Sequence, residues 1–560
     1  MKNVLIVGGG PVGLTMACAL VRYGVECRVI DANAAPQVWS KAAAVMPRTM
    51  EVLRDLGLTD ALVERGRPMY GLNAYQGTKR IAHVTLHLEG TPYPFLLGVS
   101  QRDTELLLAA RLEAIGGRFD REVELVGFEQ DDEGVRAQLR HASGATEEVR
   151  AAYLIGADGA HSTVRRVLGF AFEGSTFEQT LWQADVRVRF PFEADPNEAH
   201  AFPSANGMMG ALPLLSEGRY RVIAIAPPHP EREPTLEGMQ EIGRERMPEG
   251  VELYDPAWVT GFRFHDRLAE RYRDRRVFLA GDAAHIHSPV GGQGMNLGMQ
   301  DAYNLAWKLA LVLHGRGRPI LLDSYEPERR RIAEGVVRGT DRATRGAMRA
   351  LSFRHPIATA LRAQIISVVA DIGFLQSQLA QTLGGIRVGY PDSPIVGEHH
   401  SSVWSSELGT PKDERPRLGD WLRFGDGPGP GQRVPDLDLP EGSPFSTLHE
   451  LLLGIDHVLL LFDGAASTEA GYANLDAIAD RVRRRYGDRV RTYVVVPHAE
   501  RPAALAWSDV VLDPEAEVHA AFGCGSEALY LIRPDGYVGF RSQPAVEPEL
   551  LRYLETIFVD

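Results

Sequence analysis

The chain has 560 residues, 44% of them hydrophobic and 24% charged, a balance that excludes disordered, collagenous and coiled-coil proteins. At about 150 residues per domain, the length predicts roughly three to four domains. The net charge of −14 argues against a nucleic-acid surface, whose footprint is basic, and against general attraction to anionic lipid. Cys18, Cys27 and Cys524 include no CxxC pair and cannot build a disulfide framework, a usage suited to a reducing cytoplasm. No stretch reaches the roughly 18 uninterrupted apolar residues of a membrane span.

Val4-Leu5-Ile6-Val7 reads as a buried parallel strand. The apolar stretch it opens is broken by Gly8-Gly9-Gly10-Pro11 and is expected to belong to the fold rather than to a signal sequence. A helical pattern carries Leu14, Ala17, Cys18 and Val21, and a second strand, Cys27 to Ile30, ends in Asp31. A hairpin is expected across Leu72 to Leu88, then a helix near Thr104 to Ile115. A three-strand meander follows, turning at Asp131 to Gly134 and at Ser143-Gly144 and ending in Tyr153 to Gly156. From Leu181, Trp182, Ala184, Val186, Val188 and Phe190 alternate with Gln183, Asp185, Arg187 and Arg189, the mark of a half-buried antiparallel strand with one face free to cover something. Further turns at Asn206-Gly207 and Glu217-Gly218 make this an inserted antiparallel sheet. Parallel character returns at Arg276 to Asp282, and a helix spans about Met295 to Leu313. Pro391 to Pro435, rich in Pro, Gly and Ser, reads as a linker. A small α/β pattern follows, with strands at His457 to Phe462 and Arg489 to Val496, a helix from Asn474 to Tyr486, and a terminal hairpin at Pro534-Asp535-Gly536.

Two constellations carry chemistry. Gly8-x-Gly10-Pro11-x-Gly13, between strand and helix and followed by Asp31, fits dinucleotide binding. Its glycines let the backbone approach a pyrophosphate at a helix N-terminus, and the acid reaches a ribose hydroxyl. The second delivers Asp282 at the end of a strand and continues through Pro289, Gly291, Gly292, Gly294, Met295 and Asn296 into a helix. That suits a flavin: the carboxylate for ribityl hydroxyls, the helix N-terminus for the pyrimidine edge.

This second run resembles the GD motif of the class A flavoprotein aromatic hydroxylases, the family of para-hydroxybenzoate and phenol hydroxylases. Leu154 to Arg166, with Asp158-Gly159 inside it, resembles that family's DG motif, between FAD and the nicotinamide path. Ser40-Lys41-Ala42, with Arg48 after it, resembles its flavin-contacting segment, although Lys41 replaces the usual arginine and offers no guanidinium fork. Gln101, followed by Glu105 and Leu108, fits the family's Gln-x-x-x-Glu-x-x-Leu. Tyr325 to Arg330 is similar to the helix entry after the GD region. Pro430 to Pro435 and Leu529 to Gly536 look like the C-terminal thioredoxin-like domain of the phenol and polyketide hydroxylase branch, without a redox CxxC.

The resemblance implies an α/β fold: a Rossmann-like, glutathione-reductase-type FAD-binding domain with an inserted antiparallel-sheet substrate domain, plus the C-terminal thioredoxin-like domain. The FAD-binding domain is expected at 1–71, 100–180 and 265–345, and the substrate sheet at 72–99 and 181–264. A helical segment at 346–390, a linker at 391–435 and the thioredoxin-like domain at 436–560 complete the chain. The implied activity is hydroxylation of a phenolic or polycyclic aromatic, polyketide-type substrate through a flavin C4a-hydroperoxide, with NADPH or NADH as transient co-substrate and O₂ as oxidant. No protein side chain is assigned as catalytic and no metal is expected; Pro289, Gly291 and Gly292 lie beside the isoalloxazine. Baeyer–Villiger oxygenation, a flavin or nicotinamide oxidoreductase that inserts no oxygen, and a silent flavoprotein acting as a binding module are the alternatives. A cytoplasmic monomer or homodimer is expected. Three groups have two readings each. His285 and His287 relay protons or pack. The arginines Arg263, Arg267, Arg271, Arg273, Arg275 and Arg276 steer NADPH or form a solvated face. Met208, Met209, Leu212 and Leu214 line a pocket or fill a core.

Overall fold

The computed structural model describes residues 3–36, 42–86, 88–204, 207–226, 233–287, 292–352, 380–382, 384–400, 418–440, 443–464 and 468–559. They form two compact units, Met1–Tyr303 with Arg329–Ile386, and Asn304–Glu328 with Arg387–Asp560.

The first unit is built on a six-stranded sheet with Val4–Val7 near its centre. Tyr153–Gly156 and Cys27–Asp31 flank that strand in parallel, and the order runs outward through Val277–Leu279 to the short antiparallel edge strand Arg273–Asp274 on one side and to Arg118–Arg121 on the other. Leu5, Ile6, Val29, Leu154 and Ile155 are essentially inaccessible, as continuous apolar runs must be in a sheet covered on both faces. The expected meander ends one strand early. Val123–Gln130, Val135–His141 and Thr146–Ala151 form their own antiparallel sheet, and Tyr153–Gly156 leaves it for the parallel one.

The inserted sheet has eight strands, in the order His285–Ile286, Glu252–Ala269, Phe172–Arg189, Arg219–Ala226, Gly207–Pro213, Glu198–Ser204, Gly71–Gln76 and Lys79–Thr85. It is antiparallel except where Glu198–Ser204 pairs in parallel with Gly71–Gln76. The strand expected from Leu181 begins at Phe172. Trp182, Ala184, Val186 and Val188 pack with Met239 and Ile242 of the helix Leu236–Arg246. The apolar face is therefore closed by the sheet's own helix, and the opposite face, with Leu181 and Gln183, is the one left to line a cavity.

In the second unit, strands Gly397–His400, Val538–Gln543, Ala528–Ile532, His457–Phe462, Val490–Val496 and Val510–Leu512 form one mixed sheet in that order. The stretch read as a linker contributes the first of these strands and the helix Leu418–Asp426. Its glycines serve close packing: a Cβ on Gly427 would lie 2.2 Å from the Phe522 carbonyl oxygen, and one on Gly431 2.3 Å from that of Tyr390. Glu328 accepts from Lys308 (2.7 Å) and Arg533 (2.8 and 3.0 Å), and Arg533 also reaches Asp535. These four buried charges balance in sign, as buried charges must. The helical reading of 346–390 falls largely outside the described residues; Tyr325–Ser352 is one helix. Among the described residues no helix is long and apolar enough to cross a membrane.

Candidate active site

A cavity of about 1160 Å³ opens within the first unit. One part of its wall is backbone. Gly8 ends the first strand at φ +110°, and a Cβ there would lie 2.2 Å from the Ala157 carbonyl oxygen, so only glycine allows the two strand ends to approach. Gly10 caps the helix Pro11–Arg22 without a side-chain cap, and a Cβ on it would meet nothing within 4 Å. The helix thus starts at the cavity with no capping side chain and open space over Gly10. This cradle fits a pyrophosphate in charge and in room. Asp31 lines the same cavity and braces the turn, accepting from the Gly9 N–H at 2.7 Å and from Asn33 N–H and Nδ2 at 2.7 and 2.8 Å.

Asp282 joins the wall just beyond the strand Val277–Leu279. The turn carrying it is fixed from beneath. Asp301 accepts from Gly281 N–H (3.0 Å), Arg329 Nε (2.6 Å) and the ring nitrogen of His285 (2.7 Å). Burial pushes the Asp301 carboxyl up, but Arg329 and His285 outweigh it and hold it below the usual range. His285 is thus a buried support, whereas His287 lines the cavity with its ring nearly parallel, 6.4 Å away. Arg165 ties the two Asp-containing loops together, donating to the Ala283 and Ala160 carbonyls at 2.7 and 2.8 Å above the Phe172 ring.

Asp158 and Gly159 line the cavity, yet Asp158 accepts from Ser162 Oγ (2.5 Å) and from Thr163 and Val164 N–H at the start of the helix Thr163–Leu168. Burial raises its pKa, only partly offset by these bonds. Gln101 lines the wall and donates to Glu105 at 2.9 Å; burial raises the Glu105 pKa against that bond.

The remaining wall is the sheet face. Leu181, Ile223, Ile225, Gly210, Met208 and Leu212 offer apolar surface around the amide of Gln183. Beside it, Arg221 forms a two-pronged pair with Asp185 (2.7 and 2.8 Å) and donates to the Ala42 carbonyl at 2.6 Å.

Of the expected site residues, Gly8, Gly10, Pro11, Asp31, Gln101, Asp158, Gly159, Asp282, Gly292, Gly294 and Met295 share this cavity. Three do not line it. Gly13 is buried in the helix, where its Cβ would meet the Gly8 carbonyl. Arg48 is buried against Glu51 at 2.8 Å. Asn296 clasps Met46 N–H and the Ala44 and Gly292 carbonyls, so its amide is spent on backbone rather than offered to a ligand. Lys41, Pro289 and Gly291 lie outside the described residues. The arginine run divides: Arg263 and Arg267 line the cavity, while Arg273 and Arg276 lie over the rings of Phe278 and Tyr153. Met208 and Leu212 face the cavity and Met209 the core. Sequence reasoning missed Gln183 as a wall residue and Arg221 as the buried support beside the wall. The only signal for Arg221 was a charge inside the apolar run Tyr220 to Ile225.

Residues 1–340 match the family model described as FAD binding domain, and residues 427–559 the model described as aromatic-ring hydroxylase, C-terminal. The 6-methylpretetramide 4-monooxygenase of Streptomyces rimosus is 34% identical, over 99% of this chain and 93% of that protein. Pentachlorophenol 4-monooxygenase of Sphingobium chlorophenolicum is 31% identical, over 96% and 93%. A solved ternary complex of aklavinone-11 hydroxylase with FAD and aklavinone is similar at 28% identity and a TM-score of 0.72, covering 99% of this chain and 98% of that one.

Proposed function

The chain belongs to the FAD-dependent aromatic hydroxylases, and we propose that this monooxygenase hydroxylates a phenolic or polycyclic aromatic substrate held against the inserted sheet. The observation that carries this reading is the joining of two walls in one cavity: a backbone cradle suited to a dinucleotide, and an apolar sheet face suited to a ring. When bound, FAD supplies the oxygen-activating redox chemistry, with NADPH or NADH as reductant and O₂ as oxidant. The protein's part is to bind, orient and exclude water.

In this reading Gly8, Gly10 and Pro11 hold the pyrophosphate, Asp31 an adenosine ribose hydroxyl, and Asp282 the ribityl chain. Gly292, Gly294 and Met295 face the isoalloxazine. Leu181, Ile223 and Ile225 keep the reacting region dry, which matters because water in such a site diverts the oxidant. Asp301, His285 and Arg329 act at one remove, by holding the Asp282 turn. The second unit is proposed to be a thioredoxin-like domain without redox function. Supporting this are its strand order, with Val538–Gln543, Ala528–Ile532, His457–Phe462 and Val490–Val496 as neighbours, and Cys524, which is buried with its thiol pushed well up by burial.

The test is to record the visible spectrum of the purified protein and follow its anaerobic reduction by NADPH and by NADH, with and without phenols and polycyclic aromatics. Flavin bands, with reduction accelerated by one ligand class, are expected. A colourless protein that cannot be reconstituted with FAD overturns the reading. Rapid reduction indifferent to every ligand favours an oxidoreductase that inserts no oxygen.

A further inference from the structure

On the strands Phe172–Arg189, Arg219–Ala226 and Gly207–Pro213, Gln183 is the one polar side chain that lines the cavity, the charged Arg263 and Arg267 coming from the strand Glu252–Ala269. Gln183 is 1% exposed and sits midway along its strand. Its register partners are Ile223 on one side and Thr260 on the other. Leu181, two residues earlier on the same face, and Ile223 and Ile225 of the adjacent strand are wall residues that offer it no hydrogen bond. Its Oε1 is buried and has no hydrogen-bond partner among the described residues. Folded proteins rarely leave such an acceptor unmatched, and one that also lines a cavity is placed to be completed by a group that enters it.

Resting on the aromatic-substrate reading above, we infer that Gln183 selects substrates carrying a free phenolic hydroxyl, which donates to the buried Oε1 while the ring lies on Leu181, Ile223 and Ile225. The chemistry agrees with the reaction: the hydroxyl recognised by the amide is the same group that makes the ring electron-rich enough to accept oxygen. A site with a buried acceptor discriminates more strongly against a partner that lacks the donor than an apolar pocket discriminates by size, because the wrong ligand buries the acceptor unpaired. Gln183 is thus a specificity residue, outside the cradle formed by Gly8, Gly10 and Asp31.

The experiment uses the FAD-loaded full chain and a matched pair of probes, 2-naphthol and 2-methoxynaphthalene, which share the ring and differ in the donor. Binding is read from perturbation of the flavin spectrum, and reduction from anaerobic NADPH addition. Wild type is expected to bind 2-naphthol about tenfold more tightly. Gln183→Leu is expected to bring the two probes within about twofold, with FAD affinity unchanged. Gln183→Met, closer in shape, guards against a packing defect in the leucine variant and should do the same. Retention of the wild-type preference in both variants overturns the inference. So does a weakened FAD affinity with preference intact, which places the amide on the cofactor. If neither probe perturbs the wild-type flavin nor speeds its reduction, the aromatic-substrate reading falls first and the role of Gln183 falls with it.

Discussion

Gly8 and Gly10 stand two residues apart in one turn, and the structure gives them opposite reasons for being glycine. At Gly8 the backbone is in a region side chains avoid, and a Cβ would lie 2.2, 2.5 and 2.9 Å from Ala157 O, Ala157 C and Asp158 N. Those atoms are backbone and cannot swing aside. Positive φ costs about 1–3 kcal/mol and the overlap about 1–3 kcal/mol more, so Gly8→Ala should destabilise the apoprotein by roughly 2–6 kcal/mol. At about 2–4 °C per kcal/mol, its Tm should fall by roughly 4–24 °C. Gly10 has φ −79° and open space where the Cβ would go. For Gly10→Ala, a slightly poorer helix cap and a less flexible unfolded chain nearly offset each other, leaving the apoprotein Tm within about 2 °C of wild type. The added methyl instead occupies the room through which a pyrophosphate reaches the helix N–H groups. Loss of one or two charge-assisted bonds costs about 2–4 kcal/mol, or roughly 30- to 1,000-fold in FAD affinity. Calorimetry of the apoproteins and fluorescence titration with FAD separate the two effects. A Gly10→Ala protein that binds FAD like wild type would refute the cradle, as would a Gly8→Ala apoprotein of undiminished Tm.

Three further outcomes follow from buried charges. Asp301→Asn leaves the buried Arg329 and His285 without their carboxylate and should cost about 3–5 kcal/mol, read as a lower urea midpoint at unchanged m. Arg221→Met strands the buried Asp185 and frees the Ala42 carbonyl at a similar cost. Arg221→Met with Asp185→Leu should recover much of that loss, and a double variant no better than the single one refutes the pairing. His457 is buried, and desolvation together with Arg533 pushes its pKa down to about 3. Below pH ~6.5 the unfolded chain therefore takes up a proton that the folded chain refuses. The stability this group contributes is complete above pH ~6.5 and is lost as pH falls toward 3, about 2 kcal/mol by pH 5. His457→Leu should flatten that part of the stability–pH curve; parallel curves for the two proteins contradict the assignment.

The parts of the structure legible in sequence are those where backbone geometry restricts residue choice. Gly8, Gly10 and Pro11 place a turn between strand and helix whatever surrounds them, and the runs Val4–Val7 and Tyr153–Gly156 can only be interior strands. What alternation could not give was the polarity of the inserted sheet. The alternation left open which face covers a ligand; Met239 and Ile242 cover Trp182, Ala184, Val186 and Val188, which leaves the Leu181 and Gln183 face to the cavity. Asn296 and Arg48 stood beside flavin-type motifs, yet their side chains are spent on Met46, Ala44 and Glu51. A motif fixes which residues are near a ligand and leaves open which of them the scaffold itself consumes. The Pro391–Pro435 stretch misled for a related reason, since glycine marks both loose chain and backbone packed too tightly for a Cβ, as at Gly427 and Gly431.

The same division bears on how such a site changes its substrate. The cradle is made of backbone amides and of carboxylates whose bonds are mostly internal, so Gly8, Asp31 and Asp158 have little freedom to vary without moving a strand end or a helix start. The sheet wall is made of side chains on strands whose register is held by ladder bonds and by the core on the far face. Exchanging Leu181, Ile223 or Met208 alters the shape of the cavity and leaves the Trp182–Met239 packing untouched. Arg221 is the point where the two systems meet, because it ties the sheet to the Ala42 backbone. Substitutions along the wall should therefore shift which ring is accepted at constant FAD affinity, and only those reaching Arg221 or Asp185 should move both together.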